Sequence, residues 1–287
     1  MGNSLDDICY VYEENGQACI QNLDNTSVMP DTEDKDKDFK FLKKHIKYKV
    51  SELFFADAVI LVEGFAEETI LPFYLEQDTK LSKRYISIFG INGAHAFLYE
   101  KLLAKLKIPA LIITDLDIDR KSNDDDKSTN NDEKLLDKYP QIECLDGNTT
   151  TNVTIKHFNG NSKELENIGP FIVKDNIYVA YQWKIGKYYP TSFEEAFILT
   201  NSDNEILNAI LKSIKKRTYQ QIVEKNGSTD YEQNKERSYE WQAKLSDAKG
   251  EFASRLLYAL VTESSGKQLR LPEYIDQGLK WLRERLE

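Results

Sequence analysis

The 287-residue sequence is poor in the residues that build most metal-thiolate and redox sites, with three cysteines and three histidines. Cys9, Cys19 and Cys144 are widely separated and form no Cys-x-x-Cys pair, which excludes a zinc ribbon and fits a reducing compartment. His45, His95 and His157 are equally scattered. No apolar run approaches the length of a membrane span and the N-terminus has no signal-peptide core, so the expected location is the cytoplasm, with no membrane partner. No G-x-x-x-x-G-K-[ST] occurs, so no ATP site is expected in this chain. Positive charge is also in deficit, with 38 Lys and Arg against 48 Asp and Glu, a net charge of −10. That argues against a protein that coats nucleic acid through a uniform positive field. It leaves room for a nucleic-acid enzyme, because a site built for divalent cations is itself rich in carboxylates and the cations reverse its local sign.

What is present reads as an α/β protein. Residues 8–23, ICYVYEENGQACIQNL, predict two short strands joined at Asn15-Gly16. A hairpin of this size is marginal alone, so it is expected to trail a larger unit or to pack on the next domain. After a polar linker, helical spacing begins at Phe39. Near-continuous apolar strands then alternate with helices: AVILV from Ala58, a helix around Glu67–Glu76, YISIF at Tyr85–Phe89, a helix from about His95 to Lys107, and ALIIT at Ala110–Thr114. This alternation predicts a parallel sheet covered on both faces, with all strand C-termini on one edge. That edge is where open α/β sheets place their sites. A polar, acidic loop is expected over about 119–137, a short capped helix at TTTNVTIKHF, and another strand in NIYVAYQW. From Ser192 onward the pattern is mostly helical. The expected division is 1–38 as hairpin and linker, 39–190 as the α/β domain, and 191–287 as a helical region that completes the site.

Two of these strands end in acid. AVILV runs into Glu63-Gly64, and Glu67 comes in the first turn of the next helix, where the helix dipole favours a carboxylate. ALIIT runs into Asp115 and Asp117, two apart and expected to face one side in an extended chain. Taken alone, a Glu-Gly after a strand is a turn with a solvated acid, and an isolated Asp-x-Asp is a loop or cap. Together at strand ends of one sheet they gather four carboxylates on one rim, which would repel each other and raise one another's pKa values. A hard divalent cation is the simpler explanation, with Mg²⁺ or Mn²⁺ favoured by all-oxygen ligands.

VEG and TDLD at these positions resemble the TOPRIM fold of topoisomerases, primases and several nucleases. The wider series LFFADAVILVEGFAEE, ITDLD, TTTNVTIKHF, VAYQW, SFEEAF, AKGEFA and PEYIDQGLKWL resembles the C-terminal half of OLD (overcoming lysogenization defect) family nucleases. That group includes the nuclease subunit of Gabija-type antiphage systems. The resemblance runs from about Lys43 to the end and implies a TOPRIM-like fold and metal-dependent DNA cleavage with two ions per site. It assigns metal binding to Glu63, Glu67, Asp115, Asp117 and Glu194, with Glu195 as the alternative to Glu194. Glu63 and Lys249 would be catalytic, Lys249 neutralising charge on the phosphate. Ser192 and Asp119 would support the site. Read from local sequence alone, Lys249 is a solvated lysine at a helix start and Asp119 the first residue of a loop. Thr151 and Asn152 read as a helix cap, and the basic stretches Lys43–Lys49 and Lys212–Arg217 as solvated helix faces or DNA-backbone tracks.

OLD-family proteins carry an ABC-type ATPase ahead of this half, so the hairpin at 8–23 is expected to be its trailing edge. The partners expected are DNA, that ATPase, and a second copy of the chain. Three other functions compete. A primase or topoisomerase TOPRIM domain lacks a tyrosine domain or zinc ribbon here. An Asp-x-Asp glycosyltransferase leaves Glu63 and Glu67 unexplained. A non-catalytic module with a structural ion leaves Lys249 unexplained.

Overall fold

The computed structural model describes residues 8–14, 16–23, 25–49, 51–91, 93–120, 140–225, 228–263 and 268–287. The acidic loop expected over about 119–137 therefore lies almost wholly outside the described residues. The chain begins with the hairpin β1 (Cys9–Glu14) and β2 (Gln17–Asn22). The strands of the central sheet are β3 (Ala58–Val62), β4 (Ile86–Gly90), β5 (Ala110–Ile113), β6 (Phe171–Lys174) and β7 (Ile177–Ala180). They form one five-stranded sheet in the order β4-β3-β5-β7-β6. β4, β3, β5 and β7 run parallel, and β6 pairs antiparallel to β7 at the edge. The strand β6, Phe-Ile-Val-Lys, is short and mostly exposed, as befits an edge strand.

Both faces of the sheet are buried, and the alternation of side chains divides the core in two. Ala58, Ile60 and Val62 join Leu111, Ile113, Tyr178 and Ala180 on one face, under the helices Phe65–Gln77, Phe193–Thr200, Lys249–Thr262 and Glu273–Arg285. Val59 and Leu61 join Ala110, Ile112, Ile177 and Val179 on the other, under the helices Lys35–Lys49, Glu100–Leu106 and Val153–Phe158. The C-terminal helices are thus one of the two layers that close the sheet. Gly278 shows how closely they pack: a Cβ there would stand 2.6 Å from Leu111 Cδ1. The N-terminal hairpin packs on the second core through Ile8, Tyr10 and the buried Leu23. Among the described residues no helix is long and apolar enough to cross a membrane.

The chain leaves β3 for β4 on one side and returns for β5 on the other, so strand order reverses between β3 and β5. Helices on opposite faces result from that reversal, and the crevice at the strand C-termini opens there. The register pairs Val62 with Gly90 and Ile113, and Ile113 with Ala180. Residues 63, 114–115 and 181–182 consequently emerge at one edge.

Candidate functional site

Glu63 is the first residue past β3, and its N–H still donates to the Ile113 carbonyl at 3.2 Å. Its Oε2 accepts from Thr114 Oγ1 at 2.5 Å, Asp115 N at 3.1 Å and Asn152 Nδ2 at 3.0 Å. Gly64 opens the helix Phe65–Gln77 in extended conformation. A Cβ at this position would stand 2.6 Å from Glu67 Oε2, so any larger residue would displace that carboxyl. Glu67, buried in the first helical turn, folds its carboxyl back over that glycine.

Asp115 and Asp117 reach the same rim, although not by the extended alternation expected. Asp117 has φ +44, in the left-handed region that Asp tolerates better than most residues. The kink is held by three bonds: Asp117 N to Thr191 O at 3.0 Å, Thr151 N to Asp117 O at 3.0 Å, and Ile118 N to Thr191 Oγ1 at 2.7 Å. Asp115 Oδ1 accepts from Gln182 Nε2 at 2.7 Å and from Phe193 N, at the start of the helix Phe193–Thr200, at 2.9 Å. Asn152 caps the helix Val153–Phe158 as expected, accepting from Ile155 N at 3.0 Å. Its amide nitrogen does something the sequence did not announce. Nδ2 lies within 3.4 Å of Glu63 Oε2, Thr114 Oγ1, the Asp115 carbonyl and Asp117 Oδ2, so two protons are shared among four acceptors.

The helix Phe193–Thr200 separates two adjacent glutamates. Glu194 faces the rim, where its Oε2 accepts from Lys249 Nζ at 3.1 Å. Glu195 points away into an ion pair with Arg120 at 3.0 Å. Ser192 caps this helix, with its Oγ 3.5 Å from Glu195 N. Asp119 is exposed, and its backbone N–H donates to Thr149 O at 2.8 Å. The structure therefore brings together Glu63, Glu67, Asp115, Asp117, Glu194 and Lys249, while Asp119 is exposed and Ser192 caps the helix that carries Glu194. Thr114 and Gln182 are residues that local sequence reading misses, and Asn152 is one that it reads chiefly as a cap. Each is neutral, and its place depends on contacts across the sheet. Of the basic stretches, Lys212 pairs with Glu224 and Lys215 with Asp247, so part of that charge is spent internally.

Charge at the rim is poorly balanced. Burial, and then the neighbouring Glu194, push Glu67 up to about 8. Burial, then Glu67, Glu63 and Glu194, hold Asp115 well above the usual carboxylate range. Asp117 is pushed up to about 6 by burial and by Glu63. Burial works to lower Lys249, but Glu194 and Asp115 outweigh it and leave it raised. The donors are all hard oxygens, each carboxylate that is hydrogen-bonded being fixed by a neutral or cationic partner, and this suits Mg²⁺ or Mn²⁺. Among the described residues no three acids or imidazoles converge tightly enough to enclose an ion.

A family model described as the overcoming lysogenization defect protein-like TOPRIM domain matches residues 54–117, the segment from the approach to β3 through both rim aspartates. The chain carries an OLD-like TOPRIM domain. The TOPRIM segment thus contains Glu63, Glu67, Asp115 and Asp117, while Glu194 and Lys249 come from the helices beyond it. A curated relative, Endonuclease GajA of Bacillus cereus (strain HuB5-5), is 48% identical over 291 residues, covering 100% of this chain. This chain spans 40% of that relative's length. Two solved structures show a looser likeness. The C-terminal region of the Burkholderia pseudomallei OLD protein has 19% identity and a TM-score of 0.43, covering 81% of this chain and 100% of its own. The corresponding region from Xanthomonas campestris pv. campestris has 18% identity and a TM-score of 0.41, covering 82% and 96%.

Proposed function

We propose that this chain is a metal-dependent DNA endonuclease whose site is the rim formed by Glu63, Glu67, Asp115, Asp117, Glu194 and Lys249. The observation that carries the reading is the gathering of two buried acids, Glu67 and Glu194, with the half-buried Glu63, Asp115 and Asp117 around the half-exposed Lys249. The 48% identity to a protein named an endonuclease supports the same class. Glu63, Glu67, Asp115, Asp117 and Glu194 would hold Mg²⁺ or Mn²⁺, two ions per site. Bound there, such ions supply the charge that lowers the pKa of an attacking water and stabilises the leaving oxygen of a phosphodiester.

The chain's own residues have definite tasks in this reading. Asn152 and Gln182 each hold one carboxylate oxygen, Glu63 Oε2 and Asp115 Oδ1, and so orient the two acids. Lys249, at the start of its helix and 45% exposed on the side chain, is placed to donate to a phosphate oxygen. Glu63, whose carboxylate is held by Asn152, would serve as a metal ligand and act catalytically beside it. Residues 191–287 complete the rim. An ABC-type ATPase segment and a role in antiphage defence are inferred from the OLD resemblance, and self-association is part of the same proposal.

The test is cleavage of supercoiled plasmid at low salt in Mg²⁺, Mn²⁺, Ca²⁺ or EDTA, with Asp115→Ala and Lys249→Ala prepared in parallel. Nicking or linearisation in Mg²⁺ or Mn²⁺, absent in EDTA and lost in both variants, is expected. Intact plasmid under every metal would show that this chain is not by itself an endonuclease.

A further inference from the structure

Arg120 and Glu195 form an ion pair that is 3% and 0% exposed on the side chains, next to the rim but not part of it. As a device for stability alone it is a poor choice, because burying two charges costs about as much as their attraction returns, and apolar residues of similar volume serve as well or better. Arg120 Nε is also buried without a hydrogen-bond partner. What the pair does have is a fixed orientation. The guanidinium stacks on Tyr239 at 3.5 Å, Nη1 donates to Pro140 O at 2.5 Å, and Nη2 donates to Glu195 Oε2 at 3.0 Å. Ser238 Oγ donates to Glu195 Oε1 at 3.1 Å.

Glu195 Oε2 also accepts from Thr191 N at 2.8 Å. Thr191 is the residue whose carbonyl and hydroxyl hold Asp117 N and Ile118 N. Three residues beyond Asp117 the chain arrives back at Arg120, so backbone and hydrogen bonds form a closed ring through Asp117, Arg120, Glu195 and Thr191. A non-glycine residue at φ +44 persists only where its surroundings over-determine it. We infer that Arg120 and Glu195 are positioning residues: through Thr191 they hold Asp117 in its left-handed turn and so set where its carboxylate stands on the rim. This rests on the reading of the rim as a divalent-cation site.

The test uses the full chain and two readouts, Mn²⁺ affinity by titration calorimetry and the melting temperature in EDTA. Glu195→Gln keeps an acceptor for Thr191 N but leaves the Arg120 charge uncompensated. It should melt lower while its Mn²⁺ Kd stays within about threefold of the parent. The double variant Arg120→Met/Glu195→Leu removes both charges and the acceptor. It should melt close to the parent while its Kd weakens by about tenfold or more, the range for partners that orient a ligand. A purely structural pair predicts the reverse order, with affinity tracking melting temperature. Any result in which the double variant does not bind Mn²⁺ more weakly than Glu195→Gln overturns the inference. Should the double variant fail to fold, Thr191→Val, which removes the hydroxyl holding Ile118, must weaken Mn²⁺ about tenfold, and an unchanged Kd overturns the inference. If the parent itself binds no Mn²⁺, the reading of the rim fails, and not the clamp alone.

Discussion

Glu194 and Glu195 are consecutive, lie in the first turn of one helix and are 3% and 0% exposed, yet their settings are opposite. Glu195 meets a dedicated arginine, a backbone N–H and a hydroxyl. Burial raises its pKa, and Arg120, Thr191 and Ser238 offset only part of that rise. Glu194 shares one lysine with Glu67 and Asp115, whose own pKa values its charge helps to raise. Buried charge that is matched within the chain explains itself as structure. Buried charge that is left unmatched calls for a partner from outside, and on this rim a divalent cation is the partner that its oxygens suit.

The contrast can be broken at several points. Asp115→Ala removes a central carboxylate and should cut metal-dependent plasmid cleavage by about a thousandfold or more, read as initial nicking rate. Lys249→Ala should cost about a hundredfold in the same rate, with Mn²⁺ affinity little changed, because its task is the phosphate and not the metal. Asn152→Ala leaves every acid in place but frees Glu63 and Asp117 to swing. A loss of about tenfold in Mn²⁺ affinity by calorimetry is expected. Gly278→Ala sharpens the comparison from the other side. Its Cβ would press on Leu111 beneath the sheet, far in function from the rim, and should cost about 1–3 kcal/mol in denaturant melts while leaving Mn²⁺ affinity unchanged.

The parts of this picture that depend on local pattern were legible in the sequence. Val59–Val62 and Ala110–Ile113 are apolar throughout because both sheet faces are covered, and the acids after them mark the edge where strands end. The helix caps at Asn152 and Ser192 are local as well. What was not legible depends on distance through space. Asn152 meets Glu63 across 89 positions of sequence and Gln182 meets Asp115 across 67, and neither residue type signals such a role. The left-handed turn at Asp117 is bonded to Thr191 and Thr151, both distant from it in sequence. The choice between Glu194 and Glu195 could not be made from spacing, since it depends on which side of the helix Arg120 occupies. Tyr219 and Ile222 are buried on the helix Lys216–Ile222, which is too short to show a period.

The most direct test of the central claim is the melting temperature of the metal-free chain as a function of pH, repeated with Mn²⁺ and in Asp115→Asn. Glu67 and Asp117 rise from ordinary values of 4.5 and 3.8 to about 8 and about 6 on folding, so the native chain holds protons that the unfolded chain releases. Their contribution is complete below the unfolded values and is lost as pH rises through the folded ones. In EDTA, melting should therefore fall steadily between about pH 5 and about pH 8, and saturating Mn²⁺ at the upper end should restore about 5 °C or more. Asp115→Asn, with one buried charge removed, should melt higher than the parent in EDTA and lose the Mn²⁺ response. Melting that is flat with pH, or a Mn²⁺ response that Asp115→Asn leaves intact, would contradict the account.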